Sequence, residues 1–289
     1  MIKRCQPPNL DWAAPAKTLP PGACDCHAHI FGPFNKFPLS DKRGYTPHEC
    51  TVETYMEMQA ALGIERAVIV QGSAHGNNNE VTLDAVRKLG FRGKGIALVS
   101  PKVTDKELET LNSGGICGVR FSTISKAGYS INFLQEMASR VQKLGWLIQL
   151  HFGSVDEVIE LVPILSRLRV KFLIDHQGRP PPSKGTDSRG FQALLELLKN
   201  SENCWVKICS WYRQSNIGFP YDDMRPFVEA LISARHQHLV WGSNWPHPNF
   251  QGIMPNDTEL LDQIIKWLGS SKKTQQILVD NPAKLYGFS

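Results

Sequence analysis

The stretch Cys24-Asp25-Cys26-His27-Ala28-His29-Ile30-Phe31-Gly32-Pro33 places two histidines at i and i+2 at the end of a short apolar run. Gly32-Pro33 then punctuates the run. In a strand the side chains alternate, so His27 and His29 face the same way. Two imidazoles on one face can hold a metal ion, or can polarise a carbonyl and orient water without one. The stretch alone is equally a strand with incidental histidines. What decides against that is the rest of the chain, where further histidines follow later strand-like runs.

Outward from this stretch the sequence alternates. Apolar runs at 66–72, 95–100, 118–122, 146–152, 170–176, 205–208 and 238–242 read as strands. Between and after them, 51–62, 80–89, 105–111, 132–144, 156–168, 191–198, 224–234, 259–268 and 274–285 read as helices. Thr51 is a plausible helix cap and Gly63 a stop. Eight strand–helix units predict an α/β fold, a single (β/α)8 TIM barrel. No Gly-x-Gly-x-x-Gly follows the first strand, so a dinucleotide fold has little support. Residues 1–21 are proline-rich and read as an N-terminal arm lying over a barrel of residues 22–289. The long loop at 35–49 is unusual in a compact domain unless it has a function.

In such a barrel the C-terminal ends of the strands carry the site. Polar residues fall at those ends: His27 and His29, Ser73 and His75, Arg120, His151, His176, and Asn244 to His247. The chain has 289 residues and a formal net charge of +5. It has no block of five or six like charges, which argues against nucleic acid or membrane as partner. A mildly basic surface suits anionic small molecules. Seven cysteines, no apolar signal segment and no apolar run of about 18 residues predict a cytoplasmic protein with reduced thiols. Cys24 and Cys26 read as small buried hydrophobes rather than a thiolate metal site.

The wording of several segments resembles the amidohydrolase superfamily, and within it the 2-pyrone-4,6-dicarboxylate lactonase-like branch. The matching segments are Cys26-His27-Ala28-His29-Ile30-Phe31-Gly32-Pro33, Gly44-Tyr45-Thr46-Pro47, Gln71-Gly72-Ser73-Ala74-His75-Gly76 and Gly118-Val119-Arg120-Phe121. They continue with Ile174-Asp175-His176-Gln177-Gly178-Arg179-Pro180, Trp241-Gly242-Ser243-Asn244-Trp245-Pro246-His247-Pro248-Asn249 and Asn281-Pro282-Ala283-Lys284-Leu285-Tyr286. The resemblance implies a hydrolase that opens the lactone of a small carboxylated substrate, in aromatic-compound catabolism. It implies that His27, His29 and His176 surround the scissile carbonyl and stabilise its oxyanion. It puts Tyr45, Ser73, Arg120, Arg213 and Asn249 at substrate-contacting positions, and His75 and His151 join them at their strand ends. Arginine suits carboxylates because its fork pairs with both oxygens.

Three departures from the family matter. Lys126 stands where the branch has a second arginine, giving a point charge without the fork. Asn244 stands where the family has the aspartate that takes a proton from water, and an amide is no base at neutral pH. Either hydrolysis has been lost, or this is an isosteric Asp→Asn exchange that holds substrate unreacted; the intact surroundings favour the second. His151 lies near a tyrosine position of the branch, where metal-using relatives have histidine. The expected cofactor is none. The alternative is Zn2+ held by His27, His29, His151 and residue 244, in a zinc-dependent lactonase or decarboxylase. A non-catalytic carboxylate-binding protein is a further alternative.

Overall fold

A computed structural model describes residues 2–124 and 131–289. Eight parallel strands follow one another round a single sheet in sequence order. They are β1 (Cys24–Ala28), β2 (Arg66–Val70), β3 (Gly93–Ala97), β4 (Ile116–Ser122), β5 (Leu147–His151), β6 (Phe172–Ile174), β7 (Cys204–Ile208) and β8 (Leu239–Trp241). The ends of the sheet meet just past β8, where Asn244 N donates to His27 O at 2.7 Å and His29 N to Trp245 O at 2.8 Å. Residue 242 has to be glycine for this approach, since a Cβ there would lie 2.5 Å from the His27 Cβ. The expected α/β barrel is therefore the fold.

Helices fill the crossovers: α1 (Val52–Leu62), α2 (Glu80–Leu89), α3 (Asp105–Ser113), α4 (Leu134–Gln142), α5 (Glu157–Leu165), α6 (Arg189–Asn200), α7 (Arg225–Arg235) and α8 (Asp257–Leu268). Thr51 caps α1 by accepting from Thr54 N, and Gly63 ends it in the left-handed conformation. The helix expected at 274–285 is broken into α9 (Ser271–Gln275), a wide turn at Gln276–Asp280 and α10 (Asn281–Tyr286). Pro282 has no N–H to continue the regular ladder. The sixth strand is also shorter than expected. It stops at Ile174 because His176 and Gln177 take φ values of 54° and 44°, which no strand accommodates.

Two apolar layers hold the fold. The larger lies between sheet and helices. The inner one includes Cys24, Cys26, Val68, Ile96, Leu173 and Trp205, with Tyr286 and Phe288 packed against it. A register shift in β1 between Asp25 and Ala28 lets Cys26 join this inner cluster while His27 also reaches inward. The arm runs along α8, where Ala13 N donates to Thr258 Oγ1 at 3.0 Å and Ala16 N to Asp262 Oδ1 at 2.8 Å. Its start does more than cover the body: Lys3–Arg4 pairs with Tyr45–Thr46 and so pins the long loop. Among the described residues no helix is long and apolar enough to cross a membrane.

Candidate active site

A cavity of about 510 Å³ opens at the C-terminal ends of the strands. His29, Ser73, Arg120, His151, His176, Arg213 and Asn244 line it, with Tyr45 and Asn249 from the overlying loops. His27 and His75 are not part of that wall, and Lys126 lies outside the described residues. His75 instead donates from Nδ1 to Pro38 O at 3.1 Å and stacks on Phe31, steadying the loop over the pocket. His151 Nδ1 lies 3.1 Å from Ser122 Oγ, and its ring centroid is 5.2 Å from that of His176.

The wall is strongly one-signed. Lys42, Arg120, Arg179 and Arg213 all contribute to it, and among the described residues no aspartate or glutamate does. Lys42 and Arg179 escaped the sequence reading, although Arg179 stands inside a quoted motif. Arg213 donates to Pro248 O at 2.7 Å and rests over the rings of Tyr212 and Phe250. Burial, and then the neighbouring Arg213 charge, push the Arg179 guanidinium below its ordinary pKa. Two adjacent cations in one partly desolvated wall call for an anion between them.

Beneath the pocket floor lies a buried charge network. Asp175, just past β6, receives Arg120 Nε at 3.0 Å, Arg120 Nη2 at 2.9 Å and Gln149 Nε2 at 2.9 Å. Lys207 of β7, fully buried, places Nζ 3.2 Å from Asp175 Oδ1. Burial opposes ionisation of Asp175, but Lys207 and then Arg120 outweigh it and hold the carboxyl well below its usual range.

Lys207 Nζ also donates to Gln149 Oε1 and to His27 Nδ1, each at 3.1 Å. His27 Nδ1 is farther from Asp175, at 3.5 Å. An ammonium only donates, so His27 accepts at Nδ1 and its proton sits on Nε2. His29 Nδ1 lies 2.7 Å from Val70 O, and a carbonyl only accepts, so the His29 proton is on Nδ1. The two Nε2 atoms, 3.2 Å apart, are therefore a donor–acceptor pair from His27 to His29. Burial pushes both imidazoles down, helped at His27 by Lys207 and at His29 by Arg120, and His29 falls to about 3. Burial likewise lowers His176 and His151 well below the ordinary value.

Asn244 donates from Nδ2 to the Tyr212 hydroxyl at 2.9 Å. That hydroxyl lies 2.7 Å from His247 Nδ1, and His247 Nε2 lies 3.2 Å from Asp257 Oδ1. With Nδ2 committed, Asn244 presents its carbonyl oxygen to the pocket. His176, Gln177, Arg179, Asn244, His247 and Asn249 all have positive φ. Such conformations cost of order 1–3 kcal/mol each and concentrate at functional sites.

The sequence profile of the amidohydrolase family (Amidohydro_2) matches residues 24–288. The chain belongs to that family. It is 35% identical over 294 residues to a protein of Comamonas testosteroni named "2-pyrone-4,6-dicarbaxylate hydrolase", covering 96% of this chain and 95% of that one. It is 36% identical over 274 residues to the 4-sulfomuconolactone hydrolase of Hydrogenophaga intermedia, covering 93% and 90%. A crystal structure from Acinetobacter baumannii, described as a "probable 2-pyrone-4,6-dicarboxylic acid hydrolase" with citric acid bound, superposes with a TM-score of 0.82. It has 28% identity and covers 92% of this chain and 100% of that one.

Members of such a family raise the question of a metal ion. Among the described residues, the group whose ligand atoms lie within 4.8 Å of one another is His27, Asp175 and His176. The histidines of the alternative zinc set, His27, His29 and His151, do not form such a group. The donor chemistry of His27, Asp175 and His176 does not suit an ion either. Lys207 is bonded to His27 Nδ1 and paired with Asp175, Arg120 takes the other carboxylate oxygen, and the His27 proton lies on Nε2.

Proposed function

We propose that this chain binds a small lactone carrying anionic groups and acts on its ring ester by adding water, without a resident metal ion. The observation that carries this is the cationic wall around Asn244, to which no aspartate or glutamate contributes among the described residues. The relatives named as hydrolases of a pyrone dicarboxylate and a sulfomuconolactone support the same substrate class. The lactone carbonyl would rest against Arg120, whose Nε and Nη2 are committed to Asp175, and against His176. Donors aimed at the developing oxyanion are a large term in ester hydrolysis. His27 and His29 then act by fixing the floor on which that carbonyl sits. Tyr45, Ser73, His151 and Asn249 would contact the ring, and Arg213, Arg179, Lys42 and Lys126 its anionic groups. Water attacks the carbonyl carbon, the ring C–O bond breaks, and a carboxylate and a free enol or hydroxyl result.

Asn244 stands where the water's proton would be taken. The intact neighbours read as a pocket that keeps its shape while lacking its base, a form that holds substrate. The amide also favours a second reading, a carboxylate-binding protein without turnover. Ring opening of 2-pyrone-4,6-dicarboxylate or 4-sulfomuconolactone by the Asn244→Asp protein, followed by loss of lactone absorbance, separates the two. If neither form binds either lactone by calorimetry, the substrate class is wrong.

Arg213→Ala is expected to weaken lactone binding by about 2–5 kcal/mol, the cost of removing one partner of a desolvated charge pair. Arg87, an exposed cation on α2, is the control and should change nothing. Arg120→Ala is a poorer probe, because it also strips Asp175 of two hydrogen bonds. Equal affinities for the Arg213 and Arg87 variants would remove the anion assignment.

A further inference from the structure

We infer that Lys207 is the resident cation of this barrel: its ammonium bridges His27 and Asp175 behind the histidine pair, and by fixing the His27 proton on Nε2 it keeps that pair closed to metals. This goes beyond the lactone reading; the two share only the metal-free pocket, and the tests below need no lactone.

Three observations carry it. First, a fully buried ammonium is costly unless it is both hydrogen-bonded and paired. Lys207 donates to His27 Nδ1 and Gln149 Oε1, each at 3.1 Å, and is ion-paired with Asp175 Oδ1 at 3.2 Å. The site is thus built for an ammonium. Second, one carboxylate already faces two cations, Lys207 and Arg120. A further doubly charged ion would be repelled by both. Third, donation by Lys207 to Nδ1 forces the His27 proton onto Nε2, where His29 Nε2 receives it at 3.2 Å. That proton occupies the lone-pair position a metal would need.

The geometry is otherwise close to a ligand set. Two nitrogens at about 2.0–2.1 Å from one tetrahedral ion stand about 3.3 Å apart, close to the separation of these Nε2 atoms. Removing the ammonium should let His27 turn its proton to Nδ1 and donate to Asp175, already 3.5 Å away. Nε2 of His27 is then free beside Nε2 of His29.

The test is metal content. The unmodified protein, dialysed against Zn2+ and then buffer, is expected to keep less than about 0.1 zinc per chain. Lys207→Ala and the bulkier Lys207→Met are expected to keep about one, lost again in Lys207→Ala/His29→Asn. Zinc near one per chain on the unmodified protein, or none on a folded Lys207 variant, overturns the inference. Should both variants fail to fold, nitrogen-15 histidine spectra of the unmodified protein decide it. They are expected to show His27 as the Nε2–H tautomer, unmoved by added Zn2+. An Nδ1–H tautomer at His27 would refute the role of Lys207.

Discussion

Asn244→Asp is expected to raise the rate of lactone hydrolysis by roughly 10² to 10⁴, the usual range for a general base. Asparagine and aspartate have nearly the same shape, so the pocket should keep its form. Asn244 already directs one end of its side chain at the Tyr212 hydroxyl and the other at the pocket. In the aspartate form that hydroxyl can donate to the inner carboxylate oxygen, with His247 Nδ1 donating to Tyr212 in turn. A hydrogen bond to the ionised form lowers a carboxyl pKa, so the base should be ready at neutral pH. Affinity should change little, since the four wall cations outnumber one added negative charge. The restored rate should fall as pH drops through the pKa of that carboxyl, because only the ionised form accepts the proton. Equal turnover by both proteins would place the base elsewhere. Loss of the restored activity to a chelator would sink the metal-free reading and with it the role given to Lys207.

The barrel was legible because buried parallel strands leave continuous apolar runs, such as Arg66-Ala67-Val68-Ile69-Val70, and helices leave spaced ones. Most of the pocket wall was legible for a related reason. Residues that follow strand ends in a barrel converge whatever their sequence separation, so His29, Arg120, His151, His176 and Asn244 fall together. The buried network was not legible, because it depends on which residues point inward at the same height. Lys207 reaches His27 across 180 residues, and Arg120 reaches Asp175 across 55. The signal was present in the lysine of Trp205-Val206-Lys207-Ile208: a charge in an otherwise apolar strand needs a buried partner. His27 illustrates the converse. Alternation put it beside His29, but the register shift in β1 and the tie to Lys207 set it beneath the wall rather than in it.

The same buried imidazoles make the fold sensitive to mild acid. His27, His29 and His176 are buried and have folded pKa values below the ordinary one, His29 at about 3. The unfolded chain takes up protons at these residues near pH 6.5 while the folded chain does not, so stability falls as pH drops below that point. Each such histidine contributes a slope of about 1.4 kcal/mol per pH unit, and three together about 4 kcal/mol per unit, until the folded values are reached. Asp175 works in a lower window. Its depressed pKa adds stability above about pH 4, lost only as pH falls further. Against a total stability of about 5–15 kcal/mol, the histidines alone should unfold the barrel between roughly pH 6 and 4, before most carboxylates are protonated. Urea midpoints measured by circular dichroism from pH 7.5 to 5 check this. His29→Asn should flatten the slope by about one proton, because an amide at that position takes up none in either state. A midpoint that stays level across the range would mean that these imidazoles are protonated inside the fold, and the donor–acceptor pair between His27 and His29 would then not exist.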